Sequence, residues 1–174
     1  MVTKLNIMTK PEKYWNVLQY NVEWLKFSET KASVLLTVYG IIITIIYTNS
    51  ADVFTAVENN SFIGIMSVIV SILSVISIYF AFKCINPRLK NLNPSSIIYF
   101  GHIKEKYNSF EDYFRETEMI LENESDFSKQ IAEQIHVNSQ IAWKKFFNVT
   151  WSIRFFILSI IILLVTILKY LISG

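Results

Sequence analysis

With a single cysteine, Cys84, the chain can form no internal disulfide, which excludes a small disulfide-stapled fold. Four glycines and three prolines in 174 residues leave few breaks and favour long, uninterrupted helices. Charge is scarce too: 17% of residues are Asp, Glu, Lys or Arg, and a net +2 is too small to point to nucleic acid. The sequence contains no glycine-rich phosphate loop, no His-Glu-x-x-His and no Gly-x-Ser-x-Gly, so no enzyme is expected. Glu133 and His136 have the Glu-x-x-His spacing of di-iron bundles, but a second copy is missing. His102 has no thiolate or third ligand nearby, so neither a metal site nor a cofactor is expected. The first thirty residues lack the short basic end, apolar run and small-residue cleavage site of a signal peptide.

Apolar residues, by contrast, are abundant. They make up 52% of the chain, and the mean hydropathy is +0.37, well outside the range of an ordinary water-soluble globule. They fall into three runs, at 32–48, 62–83 and 149–172, each long enough to span a membrane. Arg154 would cost about 2.5–3.5 kcal/mol at mid-bilayer, so it and Trp151 are expected at an interface. The fold class expected is therefore an all-α membrane protein. It has three transmembrane helices and a mostly helical cytoplasmic insert, 84–148, between the second and third. An amphipathic leader helix, 1–31, precedes the first span, and a polar external loop, 49–61, joins the first two.

Thr9-Lys10-Pro11-Glu12 sets a capping hydroxyl three residues before a carboxylate, with proline in the first turn, and predicts a helix start. Tyr14, Leu18, Val22 and Leu25 then recur at helical spacing. In the insert, Ser109 and Ser125 are the expected caps of two further helices. The second of these carries a seam of Phe127, Ile131, Ile135 and Ala142, interrupted by Asn138, and runs without a break into the third span. Residues 97–100 are too few for periodicity to separate a strand from a helical turn. Lys and Arg are absent from 49–61 and frequent in the leader and insert. That bias places the N-terminus and insert in the cytoplasm and the C-terminus outside a cell membrane.

Two constellations leave alternatives open. Small or hydroxyl residues recur along each span, including Ser67, Ser71, Ser74 and Ser77 in the second and Ser152, Ser159 and Thr166 in the third. Such stripes serve either packing within one chain or contacts in a homo-oligomer. Arg88, Lys90, His102 and Lys104 lie near Phe100 in sequence, and cations beside rings suit a phosphate with a stacked base. The same residues equally fit juxtamembrane positive charge over core aromatics. As a ligand site, the candidates are Arg88, Lys90, Phe100, His102 and Lys104.

Several short motifs, in order, resemble the Pycsar membrane-effector family of bacterial anti-phage defence. Trp24 is followed by Ser28-Glu29-Thr30-Lys31-Ala32-Ser33 entering the first span, with Glu29 where the family usually has Asp. Asn86-Pro87-Arg88 leaves the second span, and Phe100-Gly101-His102-Ile103 follows. Gln134-Ile135, Ser139-Gln140-Ile141-Ala142 and Lys144-Lys145 then precede the third. The resemblance runs from about Trp15 to Lys169. It implies an effector triggered by a cyclic pyrimidine nucleotide, cyclic UMP or cyclic CMP, made by a separate cyclase. The triggered effector impairs the integrity of the inner membrane, an abortive-infection response. A ligand-independent holin-like toxin and a membrane-anchored adaptor docking a protein partner are the alternatives.

Overall fold

A computed structural model describes residues 9–86 and 96–173, and every regular element among them is a helix. In chain order these are α1 (Lys10–Thr48), α2 (Ser50–Asn59), α3 (Ser61–Ile85), α4 (Phe100–Lys106), α5 (Phe110–Glu122) and α6 (Glu124–Ser173).

The helix starts follow side-chain capping. The Glu12 N–H donates to Thr9 Oγ1 (3.5 Å) while Glu12 Oε2 accepts from the Thr9 N–H (2.7 Å), a reciprocal box opening α1. Ser109 Oγ accepts from the Asp112 N–H at 3.2 Å and opens α5. At α6 the expected cap is displaced by two residues. Asn123, not Ser125, supplies the capping oxygen, its Oδ1 accepting from the Ser125 N–H at 3.0 Å. Asn is as good an acceptor as Ser at that position, and its earlier place lets α6 begin at Glu124. The stretch 49–61, read as a polar loop, carries the ten-residue helix α2. Asn60 Oδ1 then caps α3 through the Phe62 N–H at 3.0 Å. Residues 97–99 are bends, and helix begins at Phe100.

Three helices, α1, α3 and α6, are long and apolar enough to cross a membrane. At 39 and 50 residues, α1 and α6 reach about 58 Å and 75 Å, far beyond a ~30 Å hydrocarbon core. The chain divides into two compact units, and both long helices contribute to each.

One unit comprises Phe27–Asn86 and Lys144–Gly174. Ala32, Ala81, Cys84 and Val149 are fully buried at its centre, with Leu36, Ile85 and Ile153 against them. Ser77 Oγ donates to the Ser152 carbonyl and Ser152 Oγ to the Ser77 carbonyl, both at 2.8 Å. This reciprocal clasp draws α3 and α6 together, each such bond being worth about 0.6–2 kcal/mol in a bilayer. Ser152, Ser159 and Thr166, seven residues apart, are all buried. That part of the small-residue pattern serves packing within one chain. Ser71 faces outward, its hydroxyl turned back to the Ser67 carbonyl. Arg154 also faces outward, 5.0 Å over the Trp151 ring.

The other unit comprises Met1–Lys26 and Pro87–Trp143. Asn21 on α1 and Ser139 on α6 are hydrogen-bonded at 2.8 Å. Ile97, buried, is held from two sides. Its N–H donates to Gln130 Oε1 (3.3 Å) and its carbonyl accepts from the Tyr113 hydroxyl (3.2 Å). Lys106 and Glu116 pair across α4 and α5. The Glu116 carboxylate raises the Lys106 pKa above its ordinary value. On the alkaline side the pairing is therefore kept at neutral pH and lost as pH rises through the raised Lys106 pKa.

Candidate functional site

Within the second of these units, α1, residues 98–100 and α6 enclose a cleft of about 590 Å³. The α1 wall is a single helical stripe of Trp15, Leu18, Gln19, Val22, Glu23 and Lys26. Opposite stand Ile98, Tyr99 and Phe100, and α6 contributes Gln134 and Asn138. Trp15, Tyr99 and Phe100 give the cleft three aromatic rings, Lys26 a cation and Glu23 a carboxylate. Gln134 is 8% exposed, and its Nε2 donates to Asn138 Oδ1 at 2.9 Å. That bond leaves the Gln134 carbonyl and the Asn138 amide N–H as an adjacent acceptor and donor. Rings for a π-face beside an acceptor–donor pair are the elements that recognise a nucleobase.

The aromatic wall depends on α4. A Cβ at Gly101 would lie 2.7 Å from Tyr99 Cε1, so only glycine lets the Tyr99 ring fold across the start of this helix. The ring meets Phe100 at 4.7 Å between centroids and stands edge-on to His102 at 5.0 Å. His102 is 3% exposed, and its Nδ1 accepts from the Ser96 N–H at 3.2 Å. The neutral ring therefore carries its proton on Nε2, which is buried and has no partner among the described residues.

Of the residues singled out from sequence, Phe100 lines the cleft and is 68% exposed. His102 stands behind Tyr99 as a support, and Lys104 is exposed on α4. Arg88 and Lys90 lie outside the described residues. Trp15, Gln19, Glu23, Lys26, Gln134 and Asn138 were not foreseen. Asn138, a polar interruption in the apolar seam of α6, was the signal available for them.

The membrane-spanning unit holds a second polar cluster, at the carbonyl end of α3. Lys145 on α6 is only 4% exposed. Its Nζ donates to Glu29 Oε1 on α1 (2.6 Å) and to the Cys84 carbonyl on α3 (2.8 Å), joining all three helices at one ammonium. Asn148 Nδ2 reaches the Lys83 carbonyl at 3.4 Å, and Cys84 Sγ reaches the Ser28 carbonyl at 3.5 Å. A helix leaves its last four carbonyls without internal partners, and a cation is favoured there. Lys145 and Asn148 meet that need for α3. In sequence Lys145 reads as one more juxtamembrane charge. Its place seven residues before Ser152, in line with Ser159 and Thr166, was the clue to burial.

The cluster gathers Ser28, Glu29, Cys84 and Lys145 from three separate stretches of the chain, and residues 13–172 match the Pycsar effector protein domain as a whole. The chain belongs to the Pycsar effector family. It is 25% identical over 165 residues to the Pycsar effector protein PtPycTM of Propioniciclava tarda, covering 91% of this chain and 79% of that one. No solved structure matches it. Family membership and three apolar helices make this Pycsar effector a membrane protein of anti-phage defence. Among the described residues no group of three or more His, Cys, Asp or Glu could hold a metal ion.

Proposed function

We propose that this Pycsar effector is triggered by a cyclic pyrimidine nucleotide, cyclic UMP or cyclic CMP, bound in the cleft, and that it then impairs the integrity of the inner membrane. The observation that carries this reading is the cleft lining. Trp15, Tyr99 and Phe100 offer faces on which a base stacks, Gln134 and Asn138 offer an acceptor and a donor for its edge, and Lys26 offers charge for the cyclic phosphate. Both α1 and α6 line the cleft and continue as apolar helices. A ligand that favours one spacing of Trp15 and Gln134 over another therefore biases the two helices that carry those residues. The Lys and Arg bias supports an N-terminus and central insert in the cytoplasm and a C-terminus outside. The effector works as a homo-oligomer, since three helices are too few to line a pore alone, and it acts without catalysis.

Membrane potential in cells tests the reading. With a co-expressed pyrimidine cyclase, wild-type cells are expected to depolarise, and cells with a catalytically dead cyclase to stay polarised. Depolarisation without an active cyclase would make the chain a ligand-independent toxin. A polarised membrane in both cases would favour the adaptor instead.

A further inference from the structure

α5 leaves an apolar strip uncovered. Its half-buried side carries Tyr113, Glu116, Thr117 and Ile120, and none of its residues is fully buried. The outer side exposes Phe110, Phe114 and Leu121, with the two phenylalanine rings stacked at 5.8 Å. At 100° per residue these three fall within an arc of about 40°, and Glu118, Glu111 and Glu122 form its next border. All three carboxylates are exposed. The strip therefore suits an apolar helix face that carries cations. An anionic lipid surface is repelled by such a border, and a second α5 strip would set carboxylates against carboxylates.

The same unit exposes a face of that complementary kind on α1. Lys10, Lys13, Val17, Tyr20 and Trp24 are all exposed and fall within an arc of about 80°. This arc lies away from the stripe of Leu18, Gln19 and Val22 that lines the cleft. It extends over about 21 Å, against about 18 Å for α5, so the two faces match in length as well as charge. Both are exposed in one and the same chain, so neither covers the other.

We infer that the acidic apolar strip of α5 docks the basic aromatic face of α1 on a second copy of this chain. The contact is heterologous. Each copy offers both halves, and repetition builds a ring or an open row of effectors with every cleft left free. It gives the proposed self-association a surface and does not depend on which nucleotide acts.

Disulfide crosslinking of the full-length protein in membranes tests this. Two differently tagged copies, one carrying Tyr20→Cys and the other Phe114→Cys, are co-expressed and oxidised with copper phenanthroline. A mixed-tag dimer is expected, with none from either variant alone. Glu111→Lys with Glu118→Lys on the Phe114→Cys copy should lower the mixed product on the order of tenfold. Lys10→Glu with Lys13→Glu on the other copy should restore it. A Phe114→Cys homodimer in place of the mixed product, crosslinks to other proteins only, or no product would each overturn the inference. So would a mixed product indifferent to charge reversal. Depolarisation by the cyclase is scored in the same cells, so failure of the nucleotide reading is seen separately.

Discussion

Lys145→Glu is expected to remove the protein from the membrane fraction, the largest effect of any single substitution outside the apolar core. The new carboxylate would face Glu29 and the carbonyl end of α3, where the helix dipole already disfavours negative charge. Lys145→Met separates the contributions. It keeps the length and apolar stem but leaves the buried Cys84 carbonyl without its ammonium donor, at a cost of about 1–3 kcal/mol. Glu29 is the more tolerant partner, because its side chain is 43% exposed and water can replace the lost bond. Glu29→Ala is therefore expected to cost less than Lys145→Met, and Glu29→Asp less again. The swap Glu29→Lys with Lys145→Glu restores charge pairing but not the bond to Cys84, so it rescues only in part. Thermal midpoints of detergent-purified variants check the order. Lys145→Met matching wild type would show that the buried ammonium contributes nothing to the three-helix junction.

The second large effect is on ligand affinity. Trp15→Ala removes one of three aromatic walls of the cleft while leaving Tyr99 and Phe100 in place. Stacking of a base on an aromatic side chain is worth about 1–3 kcal/mol, so affinity for the activating nucleotide should fall from roughly fivefold to more than a hundredfold. Trp15→Phe keeps a ring and is expected to retain most of the binding. Gly101→Ala reaches the opposite wall indirectly, by pushing the Tyr99 ring from its place. Calorimetric titration of each purified variant distinguishes these. Unchanged affinity in Trp15→Ala would take the base away from the α1 wall.

Most of the helices were legible in sequence because their causes are local; α2, inside a stretch read as a polar loop, was not. Scarce Gly and Pro, the Thr9–Glu12 and Ser109–Asp112 caps, and long apolar runs each act within a few residues. The one misplaced cap shows how short that range is: Asn123 and Ser125 are equally good acceptors, and only the backbone decides between them. The cleft was less legible because its walls come from opposite ends of the chain. Phe100, singled out beside His102 and Lys104, lines the cleft, whereas nothing local in sequence brings Trp15 or Gln134 next to residues 98–100. His102 has the residue type of a ligand contact, but burial behind Tyr99 and the Ser96 hydrogen bond turn it to support. Lys145 was hidden for a related reason. Charge beside an apolar run reads as snorkelling, and only its register with Ser152 marks it as inward.

In the reading proposed above, the cleft takes a cyclic pyrimidine nucleotide. Titration of the purified wild-type effector with cyclic UMP and cyclic CMP, with cyclic AMP as control, tests it most directly. Saturable binding of at least one pyrimidine nucleotide is expected, weakened by Trp15→Ala and stronger than that of cyclic AMP. The absence of binding by both pyrimidine nucleotides to folded, membrane-competent protein would contradict it.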